Sequence, residues 1–148
     1  MTCSARASCL PRPCMPEPRQ LPNVLRPLVD KFYRQHRSPM RSQAGDELWV
    51  IQQGGEIVAA LCLRPVADGR WLTGLFVAPA HRSQGVAASL LAQSLQANPQ
   101  PTWLFCHPDL LGFYQRQGFA PCPQLPVELA QRLARYQRNK LLMALCRH

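Results

Sequence analysis

Long apolar runs, lysine and carboxylates are all scarce in this 148-residue chain. No segment approaches the ~18 consecutive apolar residues that a membrane-spanning helix requires, so we do not expect an integral membrane protein. The first twenty residues also lack the apolar core of a secretory signal. We therefore expect a cytoplasmic location.

Lysine is rare although the chain is strongly basic. Lys and Arg together number 17, of which only Lys31 and Lys140 are lysines, against 8 Asp and Glu residues. The formal net charge of +9 is compatible with nucleic acid, an acidic protein, a phosphorylated cofactor or an anionic membrane as partner. The arginines are scattered along the chain and form no basic run interleaved with aromatic residues, so we do not expect nucleic-acid binding.

Prolines and cysteines concentrate near the N-terminus. Residues 1–20 are predicted to be a leader that is either flexible or contains one short strand at 5–10, and residues 21–148 to form one domain. Seven cysteines do not suit a disulfide framework, and those of the leader have no matching histidine or second cysteine pair nearby. We therefore expect free thiols and no metal site.

Apolar periodicity predicts a mixed α/β protein with a single sheet. Glycine-containing turns after residues 52 and 66 join three strands into an antiparallel meander, which is followed by a helix, a strand and a helix. The predicted helices are 21–36, 85–97, 108–117 and 127–139, and the predicted strands are 48–52, 56–64, 71–78, 103–106 and 141–146.

The segment between the third strand and the second helix has the composition of an anion-binding turn. The strand ends at Pro79, and the helix begins six residues later. First-turn amides of a helix attract phosphate, Gly85 and Ala87 add little bulk, and Arg82 adds a positive charge. The residues of this segment alone leave open whether it is a phosphate cradle or an ordinary strand–helix turn.

Two motifs in order resemble those of the GCN5-related N-acetyltransferase (GNAT) family. The run from Arg82 to Ala87, RSQGVA, resembles the R/Q-x-x-G-x-G/A signature of that family. The run from Gly112 to Phe119, GFYQRQGF, resembles its FY-x-x-x-GF segment. The resemblance covers roughly residues 21–148 and is closest over 48–119.

The resemblance implies a GNAT-like fold whose mixed sheet splays open between the strands at 71–78 and 103–106, with acetyl-coenzyme A in the opening. It implies that Tyr114 protonates the leaving thiolate. His107 stands where many relatives have an asparagine that contacts the pantetheine. The cofactor-binding residues implied by the resemblance are Leu75, Phe76, Val77, Arg82, Ser83, Gln84, Gly85, Val86, Ala87 and His107.

The implied reaction is acetyl transfer to a primary amine by direct attack, and the acceptor is a small molecule or a protein. No carboxylate lies between Asp68 and Asp109, so a water chain, His81, His107 or Glu56 remains a candidate base. We expect a neutral or acidic acceptor rather than a polyamine, because basic residues dominate the segment that borders the acceptor site. A non-catalytic acyl-coenzyme A sensor or interaction module with the same fold remains the alternative, and a homodimer remains open.

Overall fold

The computed structural model describes residues 16–148. Seven strands form one sheet. They are β1 (Arg19–Leu21), β2 (Glu47–Gln53), β3 (Glu56–Val66), β4 (Gly69–Val77), β5 (Thr102–Cys106), β6 (Ala120–Pro121) and β7 (Met143–Arg147). The α-helices are α1 (Arg26–Gln35), α2 (Val86–Ala97), α3 (Leu111–Arg116) and α4 (Val127–Tyr136), and short 3-10 turns cover Asn23–Leu25, Pro79–His81 and Pro108–Leu110.

The strand order is β1-β2-β3-β4-β5-β7-β6. Every neighbouring pair is antiparallel except β4 and β5, which run parallel because helix α2 carries the chain back across the sheet. The predicted meander is thus β2, β3 and β4, and the predicted mixed α/β architecture of the GNAT type is confirmed.

Helices cover both faces of the sheet. Helices α2 and α3 pack on one face in a core that includes Leu90, Leu91 and Tyr114. Helix α1 and helix α4 pack on the other face, in separate clusters centred on Tyr33 and Leu129. Complete burial of a leucine side chain contributes roughly 1.5–3 kcal/mol, so these clusters fix the helices on the sheet.

Strands β4 and β5 stay together for only two residue pairs, Arg70 with Thr102 and Trp71 with Trp103. Beyond these pairs they diverge, and the sheet is open there. Gly74, with a φ of +70°, lies where the register between β3 and β4 shifts. The predicted opening of the sheet is therefore present, and a bulge lies at Gly74.

The N-terminal helix differs from its prediction. The apolar pattern placed a helix at 21–36, but Leu21 lies in β1 and α1 begins at Arg26. Pro22 explains the delay, because a residue that precedes proline is driven to an extended conformation. Val24 is 82% exposed and Leu28 is 42% exposed, so these two members of the apolar pattern do not face the core.

The C-terminal elements of the structure differ from the predicted ones in their extent and in their number. Helix α4 ends at Tyr136, three residues before its predicted end, and of its residues only Leu129 is fully buried. The last strand, β7, was predicted at 141–146 and lies inside the sheet between β5 and β6. Strand β6 was not predicted, since two residues carry no periodicity.

The sheet begins inside the predicted leader. Arg19 and Gln20 pair with Val50 and Trp49, so the described fold starts before residue 21. The predicted strand at 5–10 and the three leader cysteines lie outside the described residues. None of the helices from residue 16 onward is long and apolar enough to cross a membrane.

Candidate active site

The opening between β4 and β5 leads into a cavity of about 550 Å³. Its walls come from both faces of the sheet, since Cys106 and Tyr114 belong to the core under α2, whereas Trp71 and Phe105 belong to the cluster beside α4. The cavity therefore passes through the sheet, so two ligands could approach each other from opposite faces.

Strand β4 has backbone groups along this opening that no strand covers. The amide of Ala78 donates to the carbonyl of Val58 on the β3 side. Because successive amides of a strand point in opposite directions, the amides of Leu75 and Val77 point towards the opening and that of Phe76 points towards β3. An extended ligand could pair with Leu75 and Val77 as an added strand does.

Tyr33 holds the bulge of β4 in place. Its hydroxyl donates to the carbonyl of Gly74 at 2.6 Å and lies 3.6 Å from the thiol of Cys62. A Cβ at position 74 would lie only 2.5 Å from this hydroxyl, so the contact requires glycine. Burial raises the pKa of Tyr33 well above its usual value, which keeps the phenol protonated as a donor.

The predicted phosphate cradle begins helix α2. Ser83 and Gly85 have φ angles of +65° and +78°, and Gly85 is the N-cap of the helix. The first intrahelical bond runs from Ser89 to Gly85, so the amides of Val86 and Ala87 have no acceptor within the helix. A Cβ at Gly85 would meet nothing within 4 Å, so the protein leaves space at this turn for an anionic group.

Arg82 lies between this turn and the open strand. Its Nε donates to the carbonyl of Val77 at 2.9 Å, and its guanidinium lies 5.1 Å from the centre of the Phe76 ring. These contacts hold the exposed side chain at the end of the opening and leave its two terminal nitrogens available as a fork for a phosphate group.

Tyr114 is buried at 8% exposure, and it lines the cavity. Its ring makes edge contacts with Phe113 and Phe119, with centroids 5.0 and 5.9 Å apart. Burial, with a smaller contribution from Cys106, raises the pKa of Tyr114 to about 12. The phenol is therefore protonated at neutral pH.

His107 also lines the cavity, and it follows the last residue of β5. Its Nδ1 accepts a hydrogen bond from the amide of Asp109 at 3.0 Å. In the neutral imidazole this bond leaves the proton on Nε2, which is then a hydrogen-bond donor. A carboxylate oxygen of Asp109 lies 3.5 Å from the same Nδ1.

Cys106 and His107 both line the cavity, but their surroundings differ. Cys106 is buried in the core, and burial raises the pKa of its thiol, which disfavours the reactive thiolate. The exposed His107 lies after the strand and bonds to Asp109. These two residues therefore do not form a nucleophile and base pair.

The predicted site residues divide into two groups. Leu75, His107 and Tyr114 line the cavity, and Phe76, Val77 and the run 82–87 lie along the strand and turn at its end. No Asp or Glu lines the cavity among the described residues, and of the candidate bases only His107 does. His81 and Glu56 lie in the turn before α2 and in the β2–β3 hairpin.

The wall opposite the predicted cofactor residues was not anticipated from the sequence. It is basic and aromatic, and its side chains come from β3, β4, helix α4 and two loops. They are Arg41, Arg64, Trp71, Arg132, Tyr136 and Lys140. Two sequence signals pointed towards this wall, namely the excess of arginine and the basic segment expected to border the acceptor site, which includes Arg41. Neither signal shows which of the other cations converge in three dimensions.

Comparison with known proteins gives a family and a fold. Residues 44–121 match a family model described as an acetyltransferase (GNAT) domain. No curated protein matches the chain.

Solved structures with the same fold include Escherichia coli ElaA, which is 15% identical, with a TM-score of 0.63, over 89% of this chain and 99% of that chain. Rv2747 from Mycobacterium tuberculosis, solved in complex with CoA and NLQ, has a TM-score of 0.66 at 15% identity, over 89% and 98% of the two chains. N-acetylglutamate synthase from Neisseria gonorrhoeae, complexed with coenzyme A and N-acetyl-glutamate, has a TM-score of 0.66 at 16% identity, over 88% of this chain and 34% of that chain.

Proposed function

Because the chain belongs to the GCN5-related N-acetyltransferase family, whose general reaction is acyl transfer from coenzyme A, we propose that it acetylates a primary amine by direct attack in a ternary complex. The observation that carries this proposal is the cavity through the sheet, which gives a donor and an acceptor separate approaches to one point. The solved neighbour that holds coenzyme A together with N-acetyl-glutamate is consistent with it, and so is the one that holds CoA together with a second ligand.

Acetyl-coenzyme A is the cofactor, and its thioester supplies the acetyl group. Leu75 and Val77 present amides to the opening, where they can bind an extended arm. The turn from Ser83 to Ala87, together with Arg82, presents amides and a cation to a pyrophosphate. The backbone of Phe76 points away from the opening, so we assign it a packing contact rather than the backbone pairing implied by the resemblance.

Tyr114 is proposed to donate its phenolic proton towards the departing sulfur. A pKa of about 12 keeps the donor protonated. A thiol has a pKa near ~8.5, so complete proton transfer from this phenol would be unfavourable by roughly three to four pKa units. Its contribution is therefore mainly a hydrogen bond to the charge that develops on sulfur, and the amine supplies the proton that balances the reaction.

Before attack, the ammonium form of the acceptor must lose a separate proton, and no carboxylate in the described cavity can accept it. His107 is proposed to hold the pantetheine through Nε2, so that water is left to remove this proton. The acceptor would enter along the basic and aromatic wall of the cavity. The positive charge of this wall does not favour a polycationic substrate.

The test combines binding with turnover. Titration calorimetry is expected to show micromolar binding of acetyl-coenzyme A, and an acceptor screen is expected to release free thiol. Tyr114→Phe should then lower kcat by about 10²-fold, the lower end of the range for a positioned acid, because the phenol is a weak one. Its affinity for acetyl-coenzyme A should stay the same.

Tyr136→Phe is the matched control, since it removes a hydroxyl from the opposite wall of the same cavity. It should change the KM of the acceptor more than kcat. Full activity of Tyr114→Phe would remove the tyrosine from the mechanism. Binding of acetyl-coenzyme A without thiol release for any acceptor would favour the sensor, and absence of binding would contradict the cofactor assignment.

A further inference from the structure

The cavity is basic on the side that faces the acceptor. Four cationic side chains line this acceptor wall, which we define as Arg41, Arg64, Trp71, Arg132, Tyr136 and Lys140. Among the described residues, no Asp or Glu lines the cavity. A net cationic surface of this kind repels an ammonium group and attracts a carboxylate.

The centre of the acceptor wall is a buried tryptophan that contacts two arginines. Trp71 is 5% exposed, and the guanidinium carbons of Arg64 and Arg132 lie 5.5 and 4.9 Å from its ring centroid. Cation–π contacts with the same buried ring thus place both guanidinium groups beside the cavity.

The two arginines differ in how far they are neutralised. Arg64 donates to both carboxylate oxygens of Asp46, at 2.8 and 3.0 Å, and the side chain of Asp46 is 0% exposed. Arg132 donates to the hydroxyl of Tyr136 at 3.3 Å, a neutral partner that leaves its charge uncompensated. Arg132 is therefore the fixed cation of the wall with donors to spare for an anionic ligand.

Lys140 and Arg41 add charge at the rim. The ammonium of Lys140 lies 5.7 Å from the centre of the Tyr136 ring, and Arg41 bonds to the carbonyls of Met40 and Ser38. Both residues are exposed, so they steer a charged ligand more than they hold it.

We infer that the acceptor is a primary amine that also carries a carboxylate, as an amino acid does, and that Arg132 binds this carboxylate. The inference rests on the proposed acetyl transfer. It also addresses the lack of a carboxylate base. Nearby cations favour the neutral form of an amine over its ammonium form, and the neutral form is the one that attacks the thioester. The wall would thus hold the carboxylate and promote loss of the amine proton to water.

The test uses matched acceptors, namely L-alanine, L-leucine and L-phenylalanine with their three carboxamides, after acetyl-coenzyme A binding has been established. At least one pair should show a preference for the carboxylate of about tenfold or more in kcat/KM. The amine of an amino-acid amide is the weaker base and is more often neutral, so this preference could not come from ionisation of the amine. Calorimetry of the three N-acetylated products and their amides, on the protein loaded with coenzyme A, gives the same comparison without turnover.

Arg132→Gln should reduce the preference about tenfold, through KM rather than kcat. Arg135→Gln is the matched control, because Arg135 is an exposed arginine of the same helix that does not line the cavity. It should leave the preference unchanged.

Equal use and equal binding of carboxylates and amides by a protein that binds acetyl-coenzyme A would overturn the inference and leave the proposed acetyl transfer standing. A preference that survives in Arg132→Gln would overturn the role of Arg132. Failure to bind acetyl-coenzyme A would instead overturn the proposed function.

Discussion

Tyr33 connects helix α1 to the point where the sheet opens. Its hydroxyl donates to the Gly74 carbonyl, and the bulge it supports turns β4 away from the regular register with β3. An edge that binds an extended ligand must keep its backbone groups fixed before the ligand arrives. One side chain of a neighbouring helix thus contributes to a site that it does not line.

Tyr33→Phe should lower the free energy of unfolding by about 1–3 kcal/mol, since it leaves the buried carbonyl of Gly74 without its donor. The ring and its packing on Phe32 are retained. Acetyl-coenzyme A should also bind more weakly. The measurements are urea denaturation and calorimetry, with Tyr136→Phe as the control, because Tyr136 is only half-buried and its loss of a hydroxyl should change stability little. Equal stability of the two variants would show that the Tyr33 hydroxyl does not stabilise the bulge.

The turn before α2 combines a left-handed glycine with free helical amides. Gly85→Glu should abolish acetyl-coenzyme A binding, because the new carboxylate would compete with a pyrophosphate at those amides. Gly55→Glu is the control, since Gly55 has a similar φ of +82° and similar open space but lies in the β2–β3 hairpin.

Both glutamates should cost about 1–2 kcal/mol of stability through backbone strain, and only the change at position 85 should affect binding. Retained binding by Gly85→Glu in calorimetry would show that the anion is held elsewhere.

Strand β1 extends the predicted domain at its N-terminus. A chain that starts at Pro16 keeps β1, and we expect its Tm to stay close to that of the full chain. A chain that starts at Pro22 loses the pairing with β2 and the burial of Leu21, which is 2% exposed. Its free energy of unfolding should fall by roughly 1.5–3 kcal/mol. Equal Tm values for the two truncated chains would show that β1 adds no stability.

Motifs and apolar periodicity predicted those strands and helices that a contiguous stretch of the sequence marks. Strands β2 to β5 and helix α2 agree with their predictions because each has a continuous apolar pattern bounded by glycine or proline. The proposed donor side of the site rests on the run 82–87 and on Tyr114, which belong to contiguous motifs. The acceptor wall could not be predicted in this way, because Arg64 and Arg132 lie far apart in sequence and meet only on Trp71.

At the scale of the whole molecule, buried thiol and phenol groups make the stability of the protein depend on pH in the alkaline range. Burial raises the pKa of the Cys62 thiol from 9.0 to about 12 and that of Tyr114 from 10.0 to about 12. Well below pH 9 these groups are protonated in both the folded and the unfolded chain, so they add no pH dependence there. Above that pH the unfolded chain loses protons that the folded chain keeps, and ionisation then favours unfolding.

The stability of the protein should therefore fall as the pH rises from about 9, with Cys62 alone contributing up to ~1.4 kcal/mol for each pH unit until about pH 12. Tyr114 should add to the slope above pH 10. Urea denaturation from pH 7.5 to 10.5 measures the slope, and Cys62→Ala is the comparison. The variant should be less stable near neutral pH because it leaves a cavity, yet its free energy of unfolding should decline less steeply above pH 9. Parallel curves for the two proteins would mean that the buried thiol ionises as readily in the folded chain as in the unfolded one.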